Sequence, residues 1–93
     1  LVSPGVIVAG GTAVRSILSP GVVLQSHALV EDSVLMHNVK VGKGAIVRRA
    51  IIDKNVVIPD GARIGCDLEE DRARFAVTRG GVVVIGKNEV IPR

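Results

Sequence analysis

Aromatic residues are almost missing from this chain of 93 residues, in which Phe75 stands without any Trp or Tyr. Aliphatic side chains make up most of the 47% hydrophobic share. A core built on aromatic anchors is therefore excluded. No apolar run approaches the roughly 18 residues that a membrane helix needs, so we expect no membrane partner.

Cysteine and excess charge are scarce as well. Cys66 is the single cysteine, which excludes an internal disulfide and is typical of a reducing compartment. Because no basic and then apolar leader is recognisable, we expect the protein in the cytoplasm. The net charge of +3 is a weak signal for nucleic acid, since single-strand binders stack bases on aromatic side chains. We expect no nucleic-acid partner.

The main positive feature of the sequence is a repeat with a period of about 17 residues, seen in Leu18–Val22, Leu35–Val39 and Ile52–Val56. Each period contains shorter units that open on an aliphatic residue about six positions apart. The opening residues fall at positions 2, 8, 14, then 18, 24, 30, then 35, 41, 47, then 52, 58, 64. A spacing of six fits neither an α-helix nor a two-faced strand. It predicts an all-β fold, a left-handed parallel β-helix of hexapeptide repeats with about four triangular coils over residues 1–66.

Glycine and asparagine mark the predicted corners of the coils. The fourth residue of the first two units in each coil is glycine or asparagine at every position except His27. These residues are Gly5, Gly11, Gly21, His27, Asn38, Gly44, Asn55 and Gly61. Both types tolerate positive φ, so these positions predict left-handed turns. The third unit is shorter, with five residues from Val30 or Val47 and four from Val14, which predicts a differently shaped corner. The basic stretch from Lys40 to Arg49 is expected to face outward.

The hexapeptides stop at Asp67, and residues 67–93 are expected to form a capping tail. Asp67–Arg74 has acids near its start and arginines near its end, which predicts a short helix aligned with its dipole. Two β-prone runs, Phe75–Thr78 and Val82–Ile85, flank a glycine-containing turn and predict a β-hairpin. Phe75 is the expected plug of the open coil.

A β-helix alone is shared by acyltransferases, carbonic anhydrases and nucleotidyltransferase tails, so more specific motifs must decide. The unit Ile52–Asn55, the segment Asp71–Phe75 and the strand Gly81–Lys87 make this chain resemble the carboxy-terminal domain of bacterial glucose-1-phosphate adenylyltransferase, also called ADP-glucose pyrophosphorylase. The resemblance covers nearly the whole chain.

The resemblance implies a longer parent protein, and the chain opens on Leu1 within the repeat, as a piece of such a protein would. In this family an amino-terminal catalytic domain uses ATP, glucose 1-phosphate and magnesium to make ADP-glucose and pyrophosphate for glycogen synthesis. The β-helix contributes regulation and subunit contacts, in a parent expected to be a tetramer. We therefore expect no catalytic residue, no cofactor and no activity in this chain alone.

The resemblance also implies effector-binding residues. Lys54 and Lys87 match family positions that bind anionic effectors such as phosphorylated sugars, AMP or phosphate. Arg72 and Arg74 could extend the site, because guanidinium groups suit phosphate oxygens. The alternatives are ordinary surface lysines and, for the arginines, ion pairs with acids of the helix: Glu69, Glu70 and Asp71.

A second class of function is a trimeric hexapeptide-repeat acyltransferase. Such an enzyme would use a histidine base on a loop that projects from the prism, and no insertion interrupts the repeats before residue 65. His27 and His37 are the two histidines, too few for a three-histidine zinc site, so we expect no metal. Cys66 is expected to be a buried or half-buried structural thiol.

Overall fold

The structure is a computed structural model that describes residues 5–89 and Ile91. It is a parallel β-helix with one short helix, as the repeat predicts. The elements are β1 (Ile7–Val8), β2 (Thr12–Val14), β3 (Ile17–Leu18), β4 (Val23–Leu24), β5 (Leu29–Glu31), β6 (Val34–Leu35), β7 (Lys40–Val41), β8 (Ile46–Arg48), β9 (Ala50–Ile52), β10 (Val57–Ile58), β11 (Arg63–Ile64), α1 (Leu68–Arg74), β12 (Ala76–Val77) and β13 (Val83–Ile85).

Three sheets form the sides of the prism. The first face has the order β1-β4-β7-β10, the second β11-β8-β5-β2 and the third β12-β13-β9-β6-β3. Three coils are complete, from β1 to β9. The fourth has β10 and β11, and its third side is β13, which pairs in parallel with β9 after the chain has passed through α1 and β12.

Aliphatic side chains from all three faces fill the interior. Residues paired in register point inward in vertical rows, such as Leu24, Val41 and Ile58 on the first face. From the second coil onward these inward side chains are fully buried. The outward-facing basic stretch is confirmed at Lys43, Arg48 and Arg49, which are exposed. A prism of this width holds small aliphatic residues in place of rings, which accounts for the missing aromatics.

The register corrects the prediction for the first coil. Val8 pairs with Leu24, whereas Thr12 pairs with Leu29, so this coil is one residue shorter between β1 and β2. The left-handed corner is therefore Gly10 (φ 82°) and not Gly11. A Cβ on Gly11 would lie 2.9 Å from the Leu24 Cβ, so the inward place that later coils give to alanine needs glycine here.

The same shift makes Ala13, not Val14, the inward partner of Val30. The third unit of the first coil accordingly has the same five residues as the later ones, and the predicted four was wrong. The other predicted left-handed corners are confirmed, including His27 at φ 62°.

The third corner is built differently from the others, as its shorter unit predicts. Its left-handed residues are not glycines: Arg15, Asp32 and Arg49, with φ of 45°, 49° and 44°. The residue that follows each is buried, and two of them are serines. The Ser33 amide donates to Ser16 Oγ, and the Ala50 amide donates to Ser33 Oγ, both at 3.2 Å. These hydroxyls satisfy amides that would otherwise be buried without partners.

The predicted helix and hairpin of the tail are confirmed. Asp67 caps α1 by accepting from the amides of Glu69 and Glu70, and β12 pairs antiparallel with β13. Phe75 is 9% exposed and joins the buried core. The tail therefore closes one side of the last coil and continues the third face through β13.

Candidate effector-binding site

Two of the predicted effector residues lie at one corner of the prism, between the third and first faces. Ile85 pairs with Ile52, so Lys87 stands directly beside Lys54 in the neighbouring coil. The Asn88 amide donates to the Lys54 carbonyl oxygen at 3.0 Å, which fixes this alignment. Adjacent coils are about 4.8 Å apart, so the two lysine backbones are separated by one strand spacing.

The local conformation of both lysines comes from the asparagine that follows each of them. Asn55 and Asn88 adopt φ of 61° and 60°, and each lysine is the residue just before the left-handed turn. The Lys54 amide donates to Asp53 Oδ1 at 2.7 Å, which fixes the start of its turn. Both lysine side chains are exposed at this corner. Two ammonium groups in neighbouring coils form a local positive charge suited to a phosphate dianion.

His37 belongs to the same row and was not predicted as part of it. The Asn55 amide donates to the His37 carbonyl oxygen, just as the Asn88 amide donates to that of Lys54. The row therefore runs from His37 through Lys54 to Lys87, with all three side chains exposed. The 17-residue period could have found it, because adding one period to His37 gives Lys54. At the sequence level His37 was considered only as a candidate zinc ligand and was not compared with Lys54.

The structure does not bring the two predicted arginines to this row. Arg74 packs along β11, where its Nη2 donates to the Arg63 carbonyl oxygen at 3.1 Å. It also lies 3.4 Å from Glu70 Oε1 and stands over the Phe75 ring, 5.0 Å from its centroid. Arg74 thus forms an ion pair with Glu70, as the alternative interpretation of this residue predicts. Arg72 is exposed on the same helix.

Asp71 is a buried carboxylate that ties α1 to the end of β11. Its side chain is 1% exposed, and its Oδ2 accepts from the Gly65 amide at 2.9 Å. Burial raises the pKa of Asp71, while the Gly65 hydrogen bond and the nearby Arg74 charge oppose that rise. Gly65 has φ 82°, and a Cβ there would overlap the Arg48 carbonyl oxygen. This junction positions the helix, and through it β13 and Lys87.

A protein-family model described as "GlmU-like, C-terminal hexapeptide" matches residues 1–85. The chain belongs to this family. The hexapeptide domain is also similar to curated proteins named glucose-1-phosphate adenylyltransferase, which confirms the resemblance seen in the sequence. It is 53% identical to the one from Frankia casuarinae, with 98% of this chain and 22% of that protein covered. It is 55% identical to the one from Anaeromyxobacter, with 94% of this chain and 21% of that protein covered. The chain thus spans about a fifth of these relatives.

Two further predictions concern the burial of Cys66 and the binding of a metal ion. Cys66 is exposed, so the expected burial was wrong: the chain leaves the last coil at Gly65 and carries the thiol out of the core. Within residues 5–89 and Ile91, no group of three or more His, Cys, Asp or Glu side chains could hold a metal ion. The described residues therefore offer no such group for magnesium. No helix in the described part of the chain is long and apolar enough to cross a membrane.

Proposed function

We propose that this hexapeptide domain is the regulatory and oligomerisation part of a glucose-1-phosphate adenylyltransferase acting in the cytoplasm. The parent enzyme would make ADP-glucose and pyrophosphate from ATP and glucose 1-phosphate for glycogen synthesis, with magnesium held by its amino-terminal catalytic domain. The observation that carries the regulatory role is the alignment of Lys54 and Lys87 in neighbouring coils at one corner. Anionic effectors such as phosphorylated sugars, AMP or phosphate suit that charge.

Regulation through this corner requires that the effector favour one arrangement of the domains over another. The row His37–Lys54–Lys87 lies on the outside of the prism, where a neighbouring domain or subunit could share the ligand. Each charge-assisted hydrogen bond to phosphate would contribute on the order of 1.5 to 3 kcal/mol. Loss of one lysine should therefore weaken the response strongly without abolishing turnover.

The test uses the full-length protein that carries this chain. Lys54→Ala and Lys87→Ala should each raise the effector concentration for half-maximal response roughly tenfold or more. Turnover without effector should stay nearly unchanged, because neither lysine is placed in the catalytic machinery. Lys43→Ala is the matched control, since Lys43 is an exposed lysine that also precedes a left-handed residue, Gly44, but at another corner. Response curves that overlay those of the unmutated enzyme for both lysine variants would contradict the proposal.

The alternative of a trimeric acyltransferase finds less support. The relatives from Frankia casuarinae and Anaeromyxobacter carry the name glucose-1-phosphate adenylyltransferase. His27 is itself a left-handed corner residue, and His37 directly precedes the left-handed corner residue Asn38. Neither histidine is therefore on a loop that projects from the coils. ADP-glucose synthesis by the full-length protein, and none by the purified 93-residue chain, is the expected outcome of an activity assay. Synthesis by the chain alone would overturn the assignment of catalysis to the amino-terminal domain.

A further inference from the structure

The third face of the prism carries an outward row that consists of aliphatic side chains alone. Ile17, Val34, Ile51 and Val84 stand in register on β3, β6, β9 and β13, and Ala76 on β12 continues the row. Ile17 is 47% exposed and Ile51 is 37% exposed, so the row is open to solvent. The outward face of a sheet is ordinarily polar, and a contiguous apolar patch marks an interaction surface.

The outward rows of the other two faces are interrupted by charge. On the first face Lys40 stands between Val23 and Val57. On the second face the row ends in Arg63, next to Ile46. A lysine or arginine in the row keeps a face hydrated, which the third face lacks at the corresponding positions. The third face is therefore the side of the prism best suited to an apolar contact.

The corner beside the aliphatic row carries charges of alternating sign. Arg15, Asp32 and Arg49 follow one another in neighbouring coils, each in the left-handed conformation. Arg15 Nε donates to Asp32 Oδ1 at 2.7 Å. Arg49 is exposed and forms no ion pair within the described residues. Its guanidinium is thus available to a carboxylate of another molecule.

The aliphatic row is self-complementary about a twofold axis that runs along the strands, midway between β6 and β9. Such an axis places the second coil of one copy on the third coil of the other. Val34 would face Ile51 of the second copy, and Ile17 would face Val84. Each contact occurs twice, as twofold symmetry requires.

The same axis pairs the charges at the corner. Asp32 would face Arg49 of the second copy, so the arginine without an ion pair meets a carboxylate. On the other side of the row Met36 would face Asp53, whose Oδ1 already accepts from the Lys54 amide at 2.7 Å. Shape and charge therefore both favour a second copy of this chain as the occupant of the face.

We propose that the third face binds the third face of a second copy, with the two prisms antiparallel. The inference deepens the proposed oligomerisation role and rests on it. Five strands about 4.8 Å apart, with a width of about 20 Å, the smallest extent of the molecule, give a face of about 500 Å². Two such faces bury about 1,000 Å² together, the lower limit for a specific interface. A contact of this size cannot absorb an unpaired buried charge.

The experiment measures the mass of the full-length protein by sedimentation velocity over a range of concentrations. Val34→Asp and Ile51→Lys should each raise the concentration at which the assembly dissociates roughly tenfold or more, because each places an unpaired charge in the row. Val57→Lys is the matched control, since Val57 is an exposed aliphatic residue on the first face, and it should leave the mass unchanged. Unfolding temperatures equal to that of the unmutated protein would exclude a folding defect.

Mixing the two variants tests the antiparallel arrangement. In a mixed pair the introduced aspartate of one copy would face the introduced lysine of the other, while Ile51 of the first copy still faces Val34 of the second. The equimolar mixture should therefore associate more tightly than either variant alone. A mixture as dissociated as its components would overturn the proposed packing.

The remaining outcomes separate this inference from the proposed function. A monomeric unmutated protein, or an unchanged mass of Ile51→Lys, would overturn the contact, and continued ADP-glucose synthesis would leave the enzyme assignment standing. An unchanged mass with a lowered unfolding temperature would mean that the face packs within one chain, which also overturns the second copy. Dissociation of both variants in a protein that makes no ADP-glucose would support the contact and overturn the enzyme assignment.

Discussion

At the scale of single residues, two glycines with the same sign of φ have different reasons to be glycine. Gly61 and Gly65 have φ of 72° and 82°. An added Cβ on Gly61 would meet nothing within 4 Å, so only the backbone conformation requires glycine there. At Gly65 the same atom would overlap the Arg48 carbonyl oxygen, so conformation and space both require it.

Gly65→Ala should therefore destabilise the protein more than Gly61→Ala. Both variants carry the left-handed strain of an L-residue, about 1 kcal/mol. Gly65→Ala must in addition push two strands apart, and such overpacking costs about 1 to 3 kcal/mol. Urea unfolding followed by circular dichroism measures the difference. Equal free energies of unfolding for the two variants would contradict the steric account.

Residue-level prediction worked where conformation depends on the residue itself. Asn38 and Asn55 were predicted as left-handed corners because asparagine tolerates positive φ, and both are. Arg15 and Arg49 could not be predicted in this way, since arginine has no such preference. Their turns are fixed by tertiary contacts: the Arg49 amide donates to the Glu31 carbonyl oxygen, and buried serine hydroxyls line the same corner. Such contacts are formed between coils and leave no local sequence signal.

At the scale of elements, α1 depends on a carboxylate held away from water. Asp71 accepts from the Gly65 amide and lies 3.7 Å from the Arg74 guanidinium, yet burial raises its pKa above the ordinary value of about 3.9. The folded protein therefore binds this proton more tightly than the unfolded chain does. The contribution of Asp71 to stability is greatest at acidic pH and falls as pH rises through its folded-state pKa.

Asp71→Asn should remove this pH dependence. The amide oxygen can still accept from the Gly65 amide, but it does not ionise. The stability of the variant relative to the unmutated protein should rise as pH increases above about 4, because the unmutated carboxyl becomes charged. Urea titrations at a series of pH values measure it. Asp71→Ala should be less stable at every pH, by about 1 to 3 kcal/mol, because the buried Gly65 amide loses its acceptor.

A relative stability of Asp71→Asn that stays constant or falls with rising pH would contradict the account of burial. The element itself was predictable, since acids followed by arginines after a capping aspartate indicate a short helix. The pairing of β13 with β9 was not, because the 17-residue period ends at Asp67 and gives no register for a strand beyond the helix. The packing of Phe75 and the Asp71 junction help to return the chain to the third face, where β13 pairs with β9.

At the scale of the whole molecule, the described part of the β-helix is open at its first coil. Within the described residues, β1, β2 and β3 each lie at the edge of their sheet. Val8 occupies the same inward row as Leu24, Val41 and Ile58, yet it is 45% exposed while the other three are buried. Unpaired strand edges beside exposed aliphatic side chains are a template for association.

The 93-residue chain should therefore self-associate in solution. Val8→Lys should reduce association, because it places a charge at the open end of the core, where a second copy would have to desolvate it. Val57→Lys adds the same charge on the outward surface of the first face and should leave association unchanged. Light scattering over a range of protein concentrations gives the mass of each variant. A monomeric mass for the unmutated chain at every concentration, or equal association of Val8→Lys and Val57→Lys, would mean that the open coil is not the contact surface.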